Sequence, residues 1–425
     1  MFAFKKVFFE GVTLLAILTI CADNGKGTTT ENDAQMKEML FKKQLTENVA
    51  TITNILQKDD KDKCPNNYVK FYLYTQQDNK GKPIPTEVSE GTEHIILNSI
   101  NPINLKIMIH GAYGHKDDAF NILIRKSYFT VDSNRNILVV DYKFLGDNLI
   151  GMPYRVYDVV ELVAKCTVRI LYKIIKENSG SIINTHVIGF SLGAQIAGSL
   201  ANKLKITNNG GFSHTISRIT ALEPVLLNFE GKRSILNKDS APIVDVLYTN
   251  FGSLGQIFPI GTHIFYANGG LCQPKCDIFD NDGYNCSHKR AYTLFAESIE
   301  YKDPKYGFFS KRRGHNEPMS FLLGLKNKII YDSAKYKFGE YLETNQEKVD
   351  DGVFYFETNS QYPFAQDIDC TTEERSTYKN FNFISTIISS MTDWWSNHPP
   401  LHEGTPSYQS SQYEGPLFEE EIIFD

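Results

Sequence analysis

Three things are scarce in this chain of 425 residues: tryptophan, with two examples, net positive charge, with 44 Lys and Arg against 50 Asp and Glu, and long apolar runs. Without an excess or a cluster of basic residues there is no surface suited to a phosphate backbone, so nucleic acid is excluded as a partner. Without a run of about 20 apolar residues no transmembrane anchor is expected. What is present is enough for a packed core, because 41% of residues are hydrophobic and 12% aromatic, a composition that excludes wholesale disorder. The length allows two to three domains at roughly 150 residues each, or one large α/β domain with extensions. Seven cysteines make an odd count.

Lys5 and Lys6 precede an apolar run from Val12 to Ala22, and polar sequence begins at Asp23. That order is the pattern of a secretory signal peptide over residues 1–22, with Glu10 as a blemish and an N-terminal anchor or buried helix as the other reading. Cleavage after Ala22 removes Cys21 and leaves six cysteines, an even number that fits three disulfides in a secreted, extracellular protein. Residues 23–63 are charged, with Met36, Met39, Leu40, Val49, Ile52 and Ile55 at helical intervals, as in an amphipathic extension or a removable pro-segment.

From Val69 onward, short β-branched runs alternate with helical patterns. Strands are expected at Lys106–His110, Asn136–Tyr142, Thr185–Phe190, Arg218–Leu222 and Val244–Tyr248, and helices at Tyr157–Ile175 and Gly193–Leu204. This alternation implies an α/β fold with a mostly parallel central sheet and helices on both faces. Gly189-Phe190-Ser191-Leu192-Gly193 lies between one such strand and one such helix. A nucleophile elbow needs that context: a strand, a strained turn whose glycines let backbone and helix close in, then a helix.

A serine hydroxyl becomes a nucleophile when a histidine takes its proton and a carboxylate orients that histidine, with backbone N–H groups receiving the oxyanion. In this fold the acid and the histidine follow the serine. His288, just after Cys286 and Ser287, is the candidate base; His263 sits in an apolar strand pattern, and His398 and His402 in a Pro-rich tail. Glu223 ends a strand and precedes Pro224, with Asp239 and Asp245 as rivals for the acid. The N–H groups of Ala112, after His110-Gly111, and of Leu192 are candidate oxyanion donors.

The stretches His110-Gly111, Val139-Val140-Asp141, His186 to Ala194, Arg218 to Pro224, Phe265 to Gly270, Gln273 to Cys276 and Cys286-Ser287-His288 together resemble the pancreatic lipase superfamily, above all its insect phospholipase A1-like members. The resemblance covers about residues 64–366 and implies an α/β-hydrolase fold, with Ser191 as nucleophile, Glu223 as acid, His288 as base and Ala112 and Leu192 as oxyanion donors. It implies a secreted carboxylic ester hydrolase acting on phospholipid or acylglycerol at a lipid–water interface, most specifically a phospholipase A1 cleaving the sn-1 ester. A neutral acylglycerol or galactolipid lipase and a lipid-binding storage protein without turnover are the alternatives. The chain departs from the family in carrying Glu223 where Asp is usual, and Ala112 where an aromatic usually follows His-Gly. Asn237 and Ser240 stand where some vertebrate relatives have calcium-binding acids, so no metal and no cofactor are expected.

The resemblance also implies a disulfide between Cys276 and Cys286 that clamps a lid of nine residues, Asp277–Asn285, short as in the phospholipase A1 members. Asp277, Asp280 and Asp282 in it disfavour anionic headgroups. Cys272 and Cys370 lie outside the family pattern and are expected to pair, which leaves Cys64 for Cys166 among the fifteen pairings that six cysteines allow. Residues 367–425 hold eleven acids against Arg375 and Lys379. Within this acidic extension Phe383, Ile384, Ile387, Ile388, Met391, Trp394 and Trp395 recur at helical spacing, as in a helix docked on its own domain or one that touches lipid.

Overall fold

The computed structural model describes residues 64–366, apart from internal segments of which 209–215, 228–234, 277–282, 314–335 and 343–350 are the longest, together with a few positions between 39 and 47. The expected signal peptide, the acidic extension with its helical pattern, and the expected lid residues 277–282 lie outside the described residues.

The strands are β1 (Lys70–Gln77), β2 (Pro83–Val88), β3 (Ile103–Ile109), β4 (Asn136–Asp141), β5 (Ile183–Phe190), β6 (Ile216–Leu222), β7 (Ile243–Tyr248), β8 (His263–Ala267), β9 (Phe308–Arg313), β10 (Tyr336–Phe338) and β11 (Gly352–Phe356). They form one sheet in the order β10-β9-β11-β8-β7-β6-β5-β3-β4-β1-β2. From β11 to β4 every pairing is parallel, and antiparallel strands finish both edges. The central strands are buried along almost their whole length, β5 with a single exposed residue, as a parallel sheet covered on both faces requires.

The helices are α1 (Ala119–Val131), α2 (Lys143–Asp147), α3 (Val156–Glu177), α4 (Leu192–Asn208) and α5 (Gly283–Ser298). Helix α3 turns Val156, Val159, Val160, Val163, Cys166, Ile170 and Ile174 inward at helical spacing. It packs with α4 against one face of the sheet in a core that includes Ile107, Val187 and Ile219. On the other face α1 and α5 bury Phe120, Ile124, Tyr128, Leu294 and Phe295 against Met108, Ile188 and Phe190.

A row of charged side chains crosses the middle of that second face. Lys106 Nζ donates to Glu340 Oε1 at 2.6 Å and lies 2.9 Å from His186 Nδ1. Arg218 grips Asp245 through Nε and Nη2 at 2.7 and 2.9 Å and donates to the carbonyls of Gly339 and Glu340, both at 2.8 Å. Buried charges survive only when paired and hydrogen-bonded in this way. The row ties the turn after β10 to the centre of the sheet and engages both oxygens of Asp245 with Arg218 and Thr220.

Candidate active site

Chemistry in such sheets gathers at the carboxyl ends of the strands, and backbone strain gathers at the same edge here. Five non-glycine residues among those described have positive φ: Tyr113, Ser191, Glu223, Asn268 and Lys275. They follow β3, β5, β6 and β8, with Lys275 in the loop before α5. A non-glycine residue in this conformation costs of order 1 kcal/mol or more, and such residues cluster at functional sites.

Ser191, at φ 53°, turns the chain from β5 into α4. Its N–H donates to Leu222 O at 2.9 Å, extending the ladder to β6 past the end of β5. Glycine is obligatory on both sides. A Cβ at Gly189 would lie 2.5 Å from Gly193 O, and one at Gly193 would overlap Ile109 O and lie 2.5 Å from His110 O. The turn after β3 closes in equally: a Cβ at Gly111 would meet Ser191 Cβ and Phe190 Cδ1 at 3.1 Å. His110 braces that turn, stacked on Tyr142 at 4.3 Å, while Tyr142 O–H donates to His110 O at 2.7 Å. No turn or cap hydrogen bond among the described residues uses the N–H of Ala112 or Leu192. Leu192 is the residue after Ser191, and Ala112 is the residue after Gly111, which closes on Ser191.

His288 lies in the second turn of α5, which runs on to Ser298. The Cys276–Cys286 bridge, with Cα atoms 5.4 Å apart, joins the first turn of that helix to the chain before it, and residues 283–285 of the expected lid are already helical. The imidazole packs on Phe190, ring centroids 4.7 Å apart. It is buried, and burial, with Lys289 adding repulsion, pulls its pKa down from 6.5 to about 3. The neutral form that a general base needs is thus the resting form.

Glu223, at φ 47°, follows β6, and its N–H donates to Leu247 O at 2.8 Å. Its Oε2 accepts from Asn250 N–H at 2.7 Å, from Thr249 Oγ1 at 2.9 Å and from Thr249 N–H. Burial outweighs these three donors and raises the carboxyl pKa from 4.5 to about 7. Among the described residues Oε1 has no partner, and neither has His288 Nδ1; both atoms are buried. No hydrogen bond joins Glu223 to His288 or His288 to Ser191 among the described residues.

Gln273 links the acid side to the base side. Its side-chain amide donates to Thr249 O at 3.0 Å and to Ala267 O at 2.9 Å, and its backbone N–H donates to Ser287 Oγ at 3.0 Å. Thr249, Asn250 and Gln273 have no local motif that marks them in sequence as parts of a site. The Gln273-Pro274-Lys275-Cys276 stretch was the one available signal.

Of the other candidates, Asp245 belongs to the Arg218 pair, and Asp239 lies in an exposed turn. His263 is a β8 residue whose Nδ1 lies 2.8 Å from Thr262 Oγ1. His398 and His402 lie outside the described residues, as does Cys370, so the expected Cys272–Cys370 pair does too. Cys272 is exposed and unbridged among the described residues. Cys64 and Cys166 are bridged, with Cα atoms 5.3 Å apart.

A family model described as Lipase matches residues 35–364. The chain belongs to the lipase family. Among its relatives, Phospholipase A1 member A of Rattus norvegicus is 29% identical over 251 residues, 56% of this chain and 50% of that protein. Lipoprotein lipase of Rattus norvegicus is 28% identical over 55% of this chain and 50% of its own length. Pancreatic triacylglycerol lipase of Sus scrofa is 29% identical over 56% and 55%. The chain spans about half the length of these curated relatives. The lipase family match starts inside the segment expected to be an N-terminal extension.

Proposed function

We propose that this protein is a secreted serine ester hydrolase of lipids, and within that class a phospholipase A1. The observation that carries the reading is the strained Ser191 turn, with glycine on both sides and Gly111 closing on it, and the N–H groups of Ala112 and Leu192 are assigned as its oxyanion donors. In the reaction Ser191 Oγ attacks the sn-1 ester carbonyl while His288 accepts its proton. The oxyanion is received by the two N–H groups, and the lysophospholipid leaves with the proton from His288. Water, deprotonated by His288, then frees the fatty acid from Ser191. Glu223 is the residue whose carboxylate orients His288.

The phospholipid preference draws support from the name of the relative Phospholipase A1 member A and from the ten-residue separation of Cys276 and Cys286, which leaves a short lid. Two disulfides support an oxidising, extracellular compartment. A second reading, lipid binding without turnover, is favoured by one observation: Glu223 and His288 share no hydrogen bond. Purified protein and its Ser191→Ala variant, each given sn-1-labelled phosphatidylcholine and trioleoylglycerol, separate these cases. The expected result is Ser191-dependent release from phosphatidylcholine. Equal signal from both proteins refutes catalysis, and release from triglyceride alone refutes the phospholipase assignment.

A further inference from the structure

Glu223 is one methylene longer than the aspartate usual at its position, and a sealed site has to house the extra length. The pocket around the carboxyl has one side with donors and one side without. Oε2 takes all three donors from Thr249 and Asn250, whereas Oε1 is unpaired and lies over Gly255. A Cβ built on Gly255 would overlap Oε1 and sit 2.8 Å from Cδ; its next neighbour, Asn250 O, is 3.3 Å away. Gly255 does not have positive φ, so an alanine suits its backbone; the main obstacle is the Glu223 side chain, and Asn250 O needs to yield only by a few tenths of an ångström. The segment is held there by pairing. Gln256 N–H donates to Pro224 O at 2.8 Å, Gly255 bridges Val225, and Val225 N–H donates to Ser191 O at 3.3 Å.

We propose that Gly255 is a positioning residue that admits glutamate as the acid of this site. The missing side chain provides the room in which Oε1 is kept free of other partners for His288 Nδ1. This rests on the reading of the protein as a serine hydrolase. It makes Glu223 and Gly255 a matched pair: glutamate needs glycine opposite it, and aspartate does not.

The test is a cycle of four full-length proteins, wild type, E223D, G255A and E223D/G255A, with S191A as the blank, assayed on a Ser191-dependent ester substrate and melted in parallel. In the native Gly255 background glutamate should outperform aspartate by about 10-fold in kcat. G255A should lower kcat about 100-fold with KM within about 2-fold, and E223D/G255A should recover at least about 10-fold over G255A, together with part of any lost melting temperature. A merely structural glycine would show no such rescue. The same Glu-to-Asp ratio in both backgrounds overturns the proposal. E223Q covers the case in which G255A does not fold, because it fills the same space but its carbonyl oxygen answers the three donors at Oε2, leaving at the Oε1 position an uncharged NH2 that cannot accept from Nδ1–H or stabilise the imidazolium. Its kcat should fall at least about 100-fold, and retained kcat overturns the assignment of Oε1. An S191A protein as active as wild type overturns the hydrolase reading and this proposal with it. Loss in S191A without coupling in the cycle overturns this proposal alone.

Discussion

At the residue scale the acid and the base are both buried out of their charged forms, and the two shifts have opposite consequences. His288, with its pKa lowered to about 3, is neutral across the working range. Glu223, raised to about 7, is half protonated near neutrality. A protonated carboxyl cannot stabilise the imidazolium that forms during catalysis, so kcat/KM should rise with pH through an inflection near 7 that E223Q lacks, as a pH–rate profile on vesicles would show. Stability should move the other way. A folded pKa of about 7 against an ordinary 4.5 means that stability is fully present below 4.5 and falls as pH rises through 7, by about 3 kcal/mol in all. E223Q does not titrate and escapes that loss. Its melting temperature should equal or trail wild type at pH 4.5 and gain on it by roughly 5 °C or more by pH 8. Comparison at each pH cancels His288, whose lowered pKa costs stability only as pH falls from 6.5 toward 3. A gap that is constant with pH would refute the assignment of the raised pKa to Glu223.

At the element scale the site is held by the loops at the carboxyl ends of the strands, and the strands themselves were easier to read. Ile107, Leu138, Val187, Ile219 and Val246 lie in uninterrupted buried runs, and such runs between turn signals are visible without any partner. Gly189 and Gly193 were legible because the demands of the elbow fall within five consecutive residues. The cradle of Glu223 was not legible. Thr249, Asn250 and Gly255 belong to the loop after β7 and reach the carboxyl only because β6 and β7 are neighbours in the sheet. The placement of β11 beside β8, some 85 positions apart in the chain, was equally hidden, since register across a parallel sheet leaves no local mark. Gln273 is the bridge between these loops. Gln273→Ala would leave the carbonyls of Thr249 and Ala267 without this donor and take from Asn268 Nδ2 one of its two acceptors, the other being Thr358 Oγ1. The expected cost is about 2–4 kcal/mol in denaturant titration, with kcat falling about 10-fold or more while KM holds. A variant that loses stability but keeps kcat would show the bridge to be structural only.

At the scale of the whole molecule the two disulfides brace opposite faces of the sheet and should therefore be separable in effect. Cys166 lies on the buried side of α3, on the face away from His288, and its bridge to Cys64 closes a loop with a sequence separation of 102. The bridge from Cys276 closes one of 10 and anchors the first turn of α5, two residues before His288. Loop-closure entropy makes the first worth about 4–5 kcal/mol and the second about 2–3. Arg290, next along α5, adds to the second anchor by donating to Pro274 O at 3.2 Å while it stacks on Phe364 at 4.4 Å. Part of the rigidity of α5 thus survives loss of the bridge at its end. The C64S/C166S protein should consequently melt at the lower temperature yet keep kcat near wild type while folded. The C276S/C286S protein should melt closer to wild type but lose kcat by about 10-fold, because His288 shifts with the frayed turn. Melting curves beside kinetics at 25 °C would decide it, and the reverse order of effects would mean that the position of His288 is set from the sheet rather than from the helix end.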